Sequence, residues 1–378
     1  MVDTIYLDFT KAFDTVPHRR LLGKLQAYGI EGNTLHWIKG FLEDRTQEVV
    51  VNGTKSDVGK VLSGIPQGTV LGPVLFVVYI NDLLDNISSN GFMFADDTKI
   101  FRQVASSEDS KRLQQDLDRL EKWSDTWQLQ FNTDKCHVLT LGNFENIDHA
   151  CRYTISNSEL EHVDCEKDLG VTIDAEMKFS EHISRKVQVA NAIVGQIRRS
   201  FSYLDCDTFK RIYVAFVRPH LEYGQVVWSP HLLKYINTIE NVQIRATKLV
   251  DGFGRLSYVE RLKRLKLPTL AFRRKRGDMI ELFKHFHVYD KSILSPTFHP
   301  RERPSRCHDY QLHSPRSKDG KRGVQTNSFY HRVVKRWNNL PSRVVASTNI
   351  NMFKNNLDAY WLDDHSEFTI ANQVIEEE

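Results

Sequence analysis

The sequence predicts an α+β chain. A split β-α-β unit, with helices backing an antiparallel sheet, comes first, followed by an all-helical region and a basic C-terminal region. Three observations carry this. Over residues 1–175, short runs of β-branched and aromatic residues alternate with amphipathic helical patterns. From Ile183 the periodicity becomes helical throughout, with Ile183, Val187, Ala190, Val194, Ile197, Phe201 and Leu204 stepping by four and three. Charge also segregates: residues 1–150 carry 15 basic against 21 acidic side chains, 151–254 carry 13 against 13, 255–343 carry 22 against 7, and 344–378 carry 1 against 7. The expected division is 1–175, 176–290 and 291–378.

Each element follows in order. Thr4 to Phe9 reads as a buried strand, Arg19 to Tyr28 as a helix closed by Gly29, and Asn33 to Leu42 as a second helix. Glu48 to Val51 and Gly59 to Leu62 flank an Asn52-Gly53 turn. A largely apolar helix is expected from Leu71 to Leu84, then two short strands over Phe92 to Ile100 joined at Asp96-Asp97. Leu113, Leu117, Leu120, Trp123 and Trp127 share one face of a helix that Ser106 or Ser107 caps, with Glu108 and Asp109 suiting its dipole. Val138 to Leu141 is a strand and Tyr153 to Ile173 a small antiparallel hairpin; helices follow at 207–217, 231–250 and 268–287, and a linker at about 294–325.

Composition excludes several classes. With 40% hydrophobic and 26% charged residues the 378-residue chain is neither collagen-like nor disordered. No run of 18 apolar residues occurs, so no membrane partner is expected, and the N-terminus lacks the pattern of a secretory signal. Cys136, Cys151, Cys165, Cys206 and Cys307 form no Cys-x-x-Cys pair, which argues against a disulfide framework or structural zinc and for a reducing compartment. The basic block is what a phosphate backbone attracts, although a solvated surface explains it as well.

Acidic residues rarely sit at the ends of buried strands unless they bind something. Asp8 ends the apolar run Tyr6-Leu7, and Asp96 and Asp97 occupy the tip of Phe92-Met93-Phe94-Ala95. If the two strands are neighbours, three carboxylates converge, and a hard divalent cation would relieve their repulsion. An isolated Asp-Asp pair is more often a plain turn. Its company argues otherwise.

Tyr6-Leu7-Asp8-Phe9-Thr10-Lys11-Ala12-Phe13-Asp14, Ser63-Gly64-Ile65-Pro66-Gln67-Gly68 and Phe94-Ala95-Asp96-Asp97 resemble successive motifs of reverse transcriptases, in particular those of non-LTR (LINE-type, jockey-like) retrotransposons. Phe131-Asn132-Thr133-Asp134-Lys135, Asp168-Leu169-Gly170-Val171, Arg218-Pro219-His220-Leu221-Glu222-Tyr223-Gly224 and Trp337-Asn338-Asn339-Leu340-Pro341 agree with further blocks in the same order. The resemblance implies a polymerase palm, a helical thumb and a C-terminal region. It implies that Asp8, Asp96 and Asp97 hold two Mg²⁺ ions, with Mn²⁺ as a substitute, and that Lys135 protonates the departing pyrophosphate. Phe9 would offer its amide to the triphosphate, and Phe13 would exclude a ribose 2′-hydroxyl. Gln67 and Gly68 would line the nucleotide, and Leu169 and Gly170 would grip the primer. Arg185, Lys186, Arg198, Arg199 and Lys210 would track the duplex backbone. The implied partners are an RNA template, a DNA primer and deoxynucleotides; the oligomeric state stays open. The implied location is intracellular, nuclear and cytoplasmic, with Arg273-Arg274-Lys275-Arg276 either an import signal or a solvated or RNA-facing helix surface. The chain starts seven residues before Asp8, so a fragment lacking the family's upstream fingers and endonuclease is expected. Two functions follow: a polymerase, or a non-catalytic remnant that binds nucleic acid.

Overall fold

The computed structural model describes residues 1–142, 152–289, 308, 310–313 and 327–363. The chain divides into two compact units, Met1–Leu169 with Asp174–Glu176, and Gly170–Ile173 with Met177–Glu378.

The first unit is built on a five-stranded sheet: β1 (Val2–Leu7), β2 (Asn90–Phe94), β3 (Asp97–Gln103), β4 (His137–Leu141) and β5 (Glu161–His162), in spatial order β5-β4-β1-β3-β2. β1 is central, antiparallel to both β3 and β4, and buries Asp3, Thr4, Ile5 and Leu7. β5 joins β4 in parallel. Ile5, Leu7, Ile100 and Val138 point to one face and enter a core with Leu113, Leu117 and Leu120 of α5 (Ser107–Trp127). α2 (His18–Ala27) and α4 (Leu71–Ile80) complete that core through Leu21, Leu25, Phe76 and Tyr79. Before α2 and after it come the short α1 (Ala12–Thr15) and α3 (Gly32–Leu42). The expected Asn52-Gly53 turn sits at the tip of an exposed two-stranded ribbon, Val50–Val51 against Thr54–Lys55 and Thr46–Gln47 against Gly59–Lys60.

Several boundaries differ from expectation for physical reasons. α4 stops at Ile80 rather than Leu84, because the buried Lys24 Nζ donates to the Tyr79 carbonyl and pairs with Asp82 at 2.5 Å, a cation set at the helix C-terminus. Lys24 is further enclosed by the rings of Trp127 at 3.8 Å and Trp123 at 4.8 Å. α5 starts as expected, Asp109 accepting from the Ser106 amide at 3.0 Å and the Ser106 hydroxyl at 2.8 Å. The region expected as one hairpin over Tyr153 to Ile173 is instead several short strands. Thr154–Ile155 pairs with Ser158–Glu159, while Glu161–His162 leaves to extend the main sheet.

In the second unit, α6 (Ser180–Ser200) buries Ile183, Val187, Ala190, Val194 and Ile197. The helix expected over 207–217 is α7 (Cys206–Ile212) followed by a π-helical turn, Tyr213–Val217. Pro219, inside α8 (Arg218–Glu222), has no amide to offer the carbonyl four residues before it, and the ladder widens there. α9 (Gln225–Trp228), α10 (Leu233–Thr247), α11 (Tyr258–Leu265) and α12 (Leu270–His287) follow. α13 (Phe329–Asn338), α14 (Ser342–Val345) and α15 (Ile350–Asp363) enclose a second cluster around Trp337 and Phe353. The expected linker at about 294–325 lies mostly outside the described residues, as do Cys151 and Cys307. No helix among the described residues is long and apolar enough to cross a membrane.

The Arg273-Arg274-Lys275-Arg276 run is not a fully solvated face. Arg273 is paired bidentately with Glu222, Arg276 with Asp358 at 2.6 and 2.8 Å, and Arg274 is only 4% exposed.

Candidate active site

The site is assembled on the sheet face opposite α5. β1 and β3 pair Leu7 with Thr98, so Asp8 and Asp97 are the next positions on adjacent strands and project to the same side. Phe94 faces Asp97 across the β2–β3 hairpin, whose two-residue tip is Ala95-Asp96. Ala95 takes a left-handed φ of 53°, a conformation that costs a residue with a Cβ about 1–2 kcal/mol. Such strain is tolerated where surrounding structure holds it.

Electrostatics tie the carboxylates together. Burial raises the Asp97 pKa, and Asp96, Asp8 and then Asp168 raise it further. Lys135 lies with its Nζ 3.3 Å from Asp8 Oδ2. Among the described residues no three His, Cys, Asp or Glu side chains are gathered closely enough to hold a metal ion. Asp8, Asp96 and Asp97 are thus neighbours along the backbone and through their fields, not a preformed cage. Their donor chemistry, carboxylate oxygens alone, suits a hard divalent cation, which would have to draw the side chains together.

The nucleotide-side residues follow from the loop after β1. Phe9 is buried and stacks on Phe131 with centroids 4.7 Å apart. The hydrogen bonds flanking this bridge run from Asn132 N to Asp8 O and from Thr10 N to Gln130 O, each 2.8 Å, so the Phe9 amide points away from Phe131. Phe13 stacks on Phe76 at 4.6 Å. The loop preceding α4 is stitched to this segment: Ile65 N donates to Phe13 O at 2.7 Å, Gly64 N to Val16 O at 2.8 Å, and Gln67 Nε2 to Asp14 Oδ1 at 2.9 Å. Gly68 has φ +77° with open space where a Cβ would stand, so backbone conformation, not crowding, demands glycine there.

Gly64 is the residue that sequence reasoning passed over. At φ +89° a Cβ would lie 2.6 Å from the Asp14 carbonyl oxygen, so only glycine lets the two loops meet. Leu169 is 44% exposed and lines a cavity of about 320 Å³ together with Tyr6, Phe92, Phe94, Asp97 and Lys99. Gly170 falls in the other compact unit, where φ is +83° and a Cβ would stand 3.2 Å from the Tyr223 ring. Of the residues suggested for duplex tracking, Arg185, Arg198 and Arg199 are exposed, and Lys186 and Lys210 are half-buried.

An antiparallel sheet backed by helices on one face, with carboxylates on adjoining strands at the other, is the architecture of a nucleic-acid polymerase palm. The family model of reverse transcriptase (RNA-dependent DNA polymerase) matches residues 4–188. The RNA-directed DNA polymerase from mobile element jockey of Drosophila melanogaster is 30% identical over 284 residues, covering 70% of this chain and 30% of that protein. Its Drosophila funebris counterpart is 28% identical over 75% of this chain and 31% of that protein. The probable RNA-directed DNA polymerase from transposon X-element of Drosophila melanogaster is 26% identical over 66% of this chain and 28% of that protein. The chain belongs to the reverse transcriptases of non-LTR retrotransposons, and spans roughly a third of the length of these relatives. Among solved structures, telomerase from Candida albicans in complex with a TWJ fragment of telomeric RNA aligns over 71% of this chain and 50% of that one, at 9% identity and a TM-score of 0.40. The family generally uses divalent metal ions.

Proposed function

We propose that this chain carries the catalytic palm of an RNA-directed DNA polymerase, joining deoxynucleotides to a primer 3′-hydroxyl along an RNA template. The observation that supports this best is that Asp8, one residue past Leu7 in the Leu7–Thr98 pair of β1 and β3, and Asp97, one residue before Thr98, stand beside the hairpin tip bearing Asp96.

In this reading Asp8, Asp96 and Asp97 would hold two Mg²⁺ ions, or Mn²⁺, which would supply charge neutralisation for phosphoryl transfer. The chain's own residues do the positioning. Phe9 presents its amide toward the triphosphate while its ring is anchored on Phe131. Phe13, braced by Phe76, occupies the volume that a 2′-hydroxyl requires, so discrimination comes from a clash. Gln67 and Gly68 border the nucleotide, with the loop held to Asp14. Lys135 holds a proton beside Asp8 and supplies it to the departing pyrophosphate. Leu169 and Gly170 contact the primer end, and the exposed arginines of α6 follow the duplex phosphates.

Primer extension on an RNA template tests the reading. Divalent-dependent extension is expected, with a loss of at least about a hundredfold in Asp8→Asn and Asp97→Asn. Phe13→Ala is expected to admit ribonucleotides. Extension equal in wild type and Asp97→Asn would overturn the assignment.

A further inference from the structure

Below the carboxylate positions the sheet carries a second transverse row. The registers place Phe92 of β2, Lys99 of β3, Tyr6 of β1 and His137 of β4 side by side across four strands, all on the open face. The next row along β1 bears Phe94, Asp97 and Asp8. The strand Cys165–Asp168 is tied to the lower row at two points. Glu166 Oε2 lies 2.8 Å from His137 Nδ1, and Asp168 is ion-paired with Lys99. Glu166 and Asp168 are two apart, and so share a face of their strand. Their anchors are on β4 and β3, the two strands that flank β1. Tyr6 lies between, with Lys99 Nζ 6.0 Å from its ring centroid. Leu169, the residue after Asp168, lines the cavity beside Asp97.

We propose that Lys99 and His137 are positioning residues: they clasp the strand Cys165–Asp168 across the open face and so fix Leu169 relative to the carboxylate row. Resting on the polymerase reading above, the clasp sets where the primer's terminal sugar comes to lie. The four side chains are 12–28% exposed, and both pairs join the same four-residue strand to the sheet. Their effect is therefore local: they choose the position of one segment rather than hold the unit together. Sequence gives no local sign of the pairing, since Lys99 and Asp168 are 69 residues apart.

Amide hydrogen exchange decides the proposal without requiring activity. Lys99→Met is expected to speed exchange across 165–169 about tenfold while the centre of β1 is unchanged. His137→Ala is expected to speed exchange in the same segment, and the swap Lys99→Asp with Asp168→Lys to restore most of the protection. In primer extension, Lys99→Met should raise KM for primer-template and lower kcat about tenfold, with KM for deoxynucleotide held within about twofold, and Lys99→Arg should recover both. Unchanged exchange at 165–169 in Lys99→Met, or a swap no better than the single variant, overturns the clasp. If the wild type extends no primer, the polymerase reading fails, yet lost and regained protection still upholds the clasp.

Discussion

The carboxylate row of the first unit and the interior of the second treat ionised groups in opposite ways. On the open face of the first, Lys135 stands beside Asp8 and Lys167 acts on Asp97, yet burial together with its acidic neighbours raises the Asp97 pKa. In the second, carboxylates are matched inside. Asp278 accepts from Arg332 Nε and Nη2, each at 2.9 Å, which counters the burial that raises its pKa, and Glu222 is held by Arg273. Glu240 accepts from the Tyr258 hydroxyl at 2.5 Å and from the Leu270 amide at 3.1 Å. Arg261, 2% exposed, donates to Thr247 Oγ1 and to the carbonyls of Leu256 and Ile244. Charge completed within the chain is architecture. Charge left incomplete where the fold could have avoided it marks where something else is to bind.

The sharpest way to break this contrast is to unbalance the second unit. Asp278→Ala strands Arg332 and removes a counter-charge from the buried Arg274, and should cost about 3–5 kcal/mol in urea unfolding. A loss under about 1 kcal/mol would show that the matched pairs are not what holds that unit.

The same contrast explains what was legible in the sequence. Asp8, Asp96 and Asp97 end or begin apolar strands, a local sign that alone favours a plain turn, and it was the ordered motifs around them that singled them out. The α6 stripe was legible by itself, one face of a helix being a local signal. The ion pairs of the Arg273–Arg276 run had no local mark, because the carboxylates that claim it, Glu222 and Asp358, are 51 and 82 residues away. Gly64 was visible only as part of a block, since its need for glycine arises from the Asp14 backbone, half a hundred residues earlier. The break in the 207–217 helix was written in Pro219. The departure of Glu161–His162 to the main sheet had no local mark at all.

His182 offers a smaller perturbation of the second unit. It is 1% exposed, its Nδ1 accepts from the Thr172 amide at 3.1 Å, and its ring lies against Trp228. Burial first, then Lys186 and Arg185, lowers its pKa from 6.5 to about 4. The folded protein therefore holds fewer protons here than the unfolded chain. Stability from this site is complete above pH 6.5 and is lost as the pH falls toward 4, by up to about 3 kcal/mol. Unfolding free energies measured from pH 7 to 4 should fall more steeply in wild type than in His182→Gln. Parallel curves would refute the assignment.

A weaker effect concerns which basic residues meet nucleic acid. Arg255, Lys263, Arg264 and Lys266 are exposed, whereas Arg276 is engaged with Asp358. If phosphates are met by charges not matched within the chain, Lys263→Gln and Lys266→Gln should each reduce the salt slope of primer-template binding by about 0.9 or less. Arg276→Gln should leave the slope unchanged. A slope sensitive to Arg276 and indifferent to Lys263 would reverse the distinction between matched and available charge.

The smallest expected effect tests the incomplete side. Because the Asp97 pKa is raised, the folded form binds its proton more tightly than the unfolded chain does. At neutral pH the ionised group therefore opposes folding, and the opposition fades as the pH falls through the raised pKa toward 3.8. Asp97→Asn should then melt slightly higher than wild type at pH 7 without divalent ions, and the gap should close near pH 4. Added Mg²⁺ should raise the wild-type melting temperature and leave that of the variant nearly fixed, since a ligand stabilises only the form that binds it. An Asn variant that melts lower at pH 7, and by the same margin at pH 4, would mean that Asp97 is held by the fold itself, and the two units would no longer differ in kind.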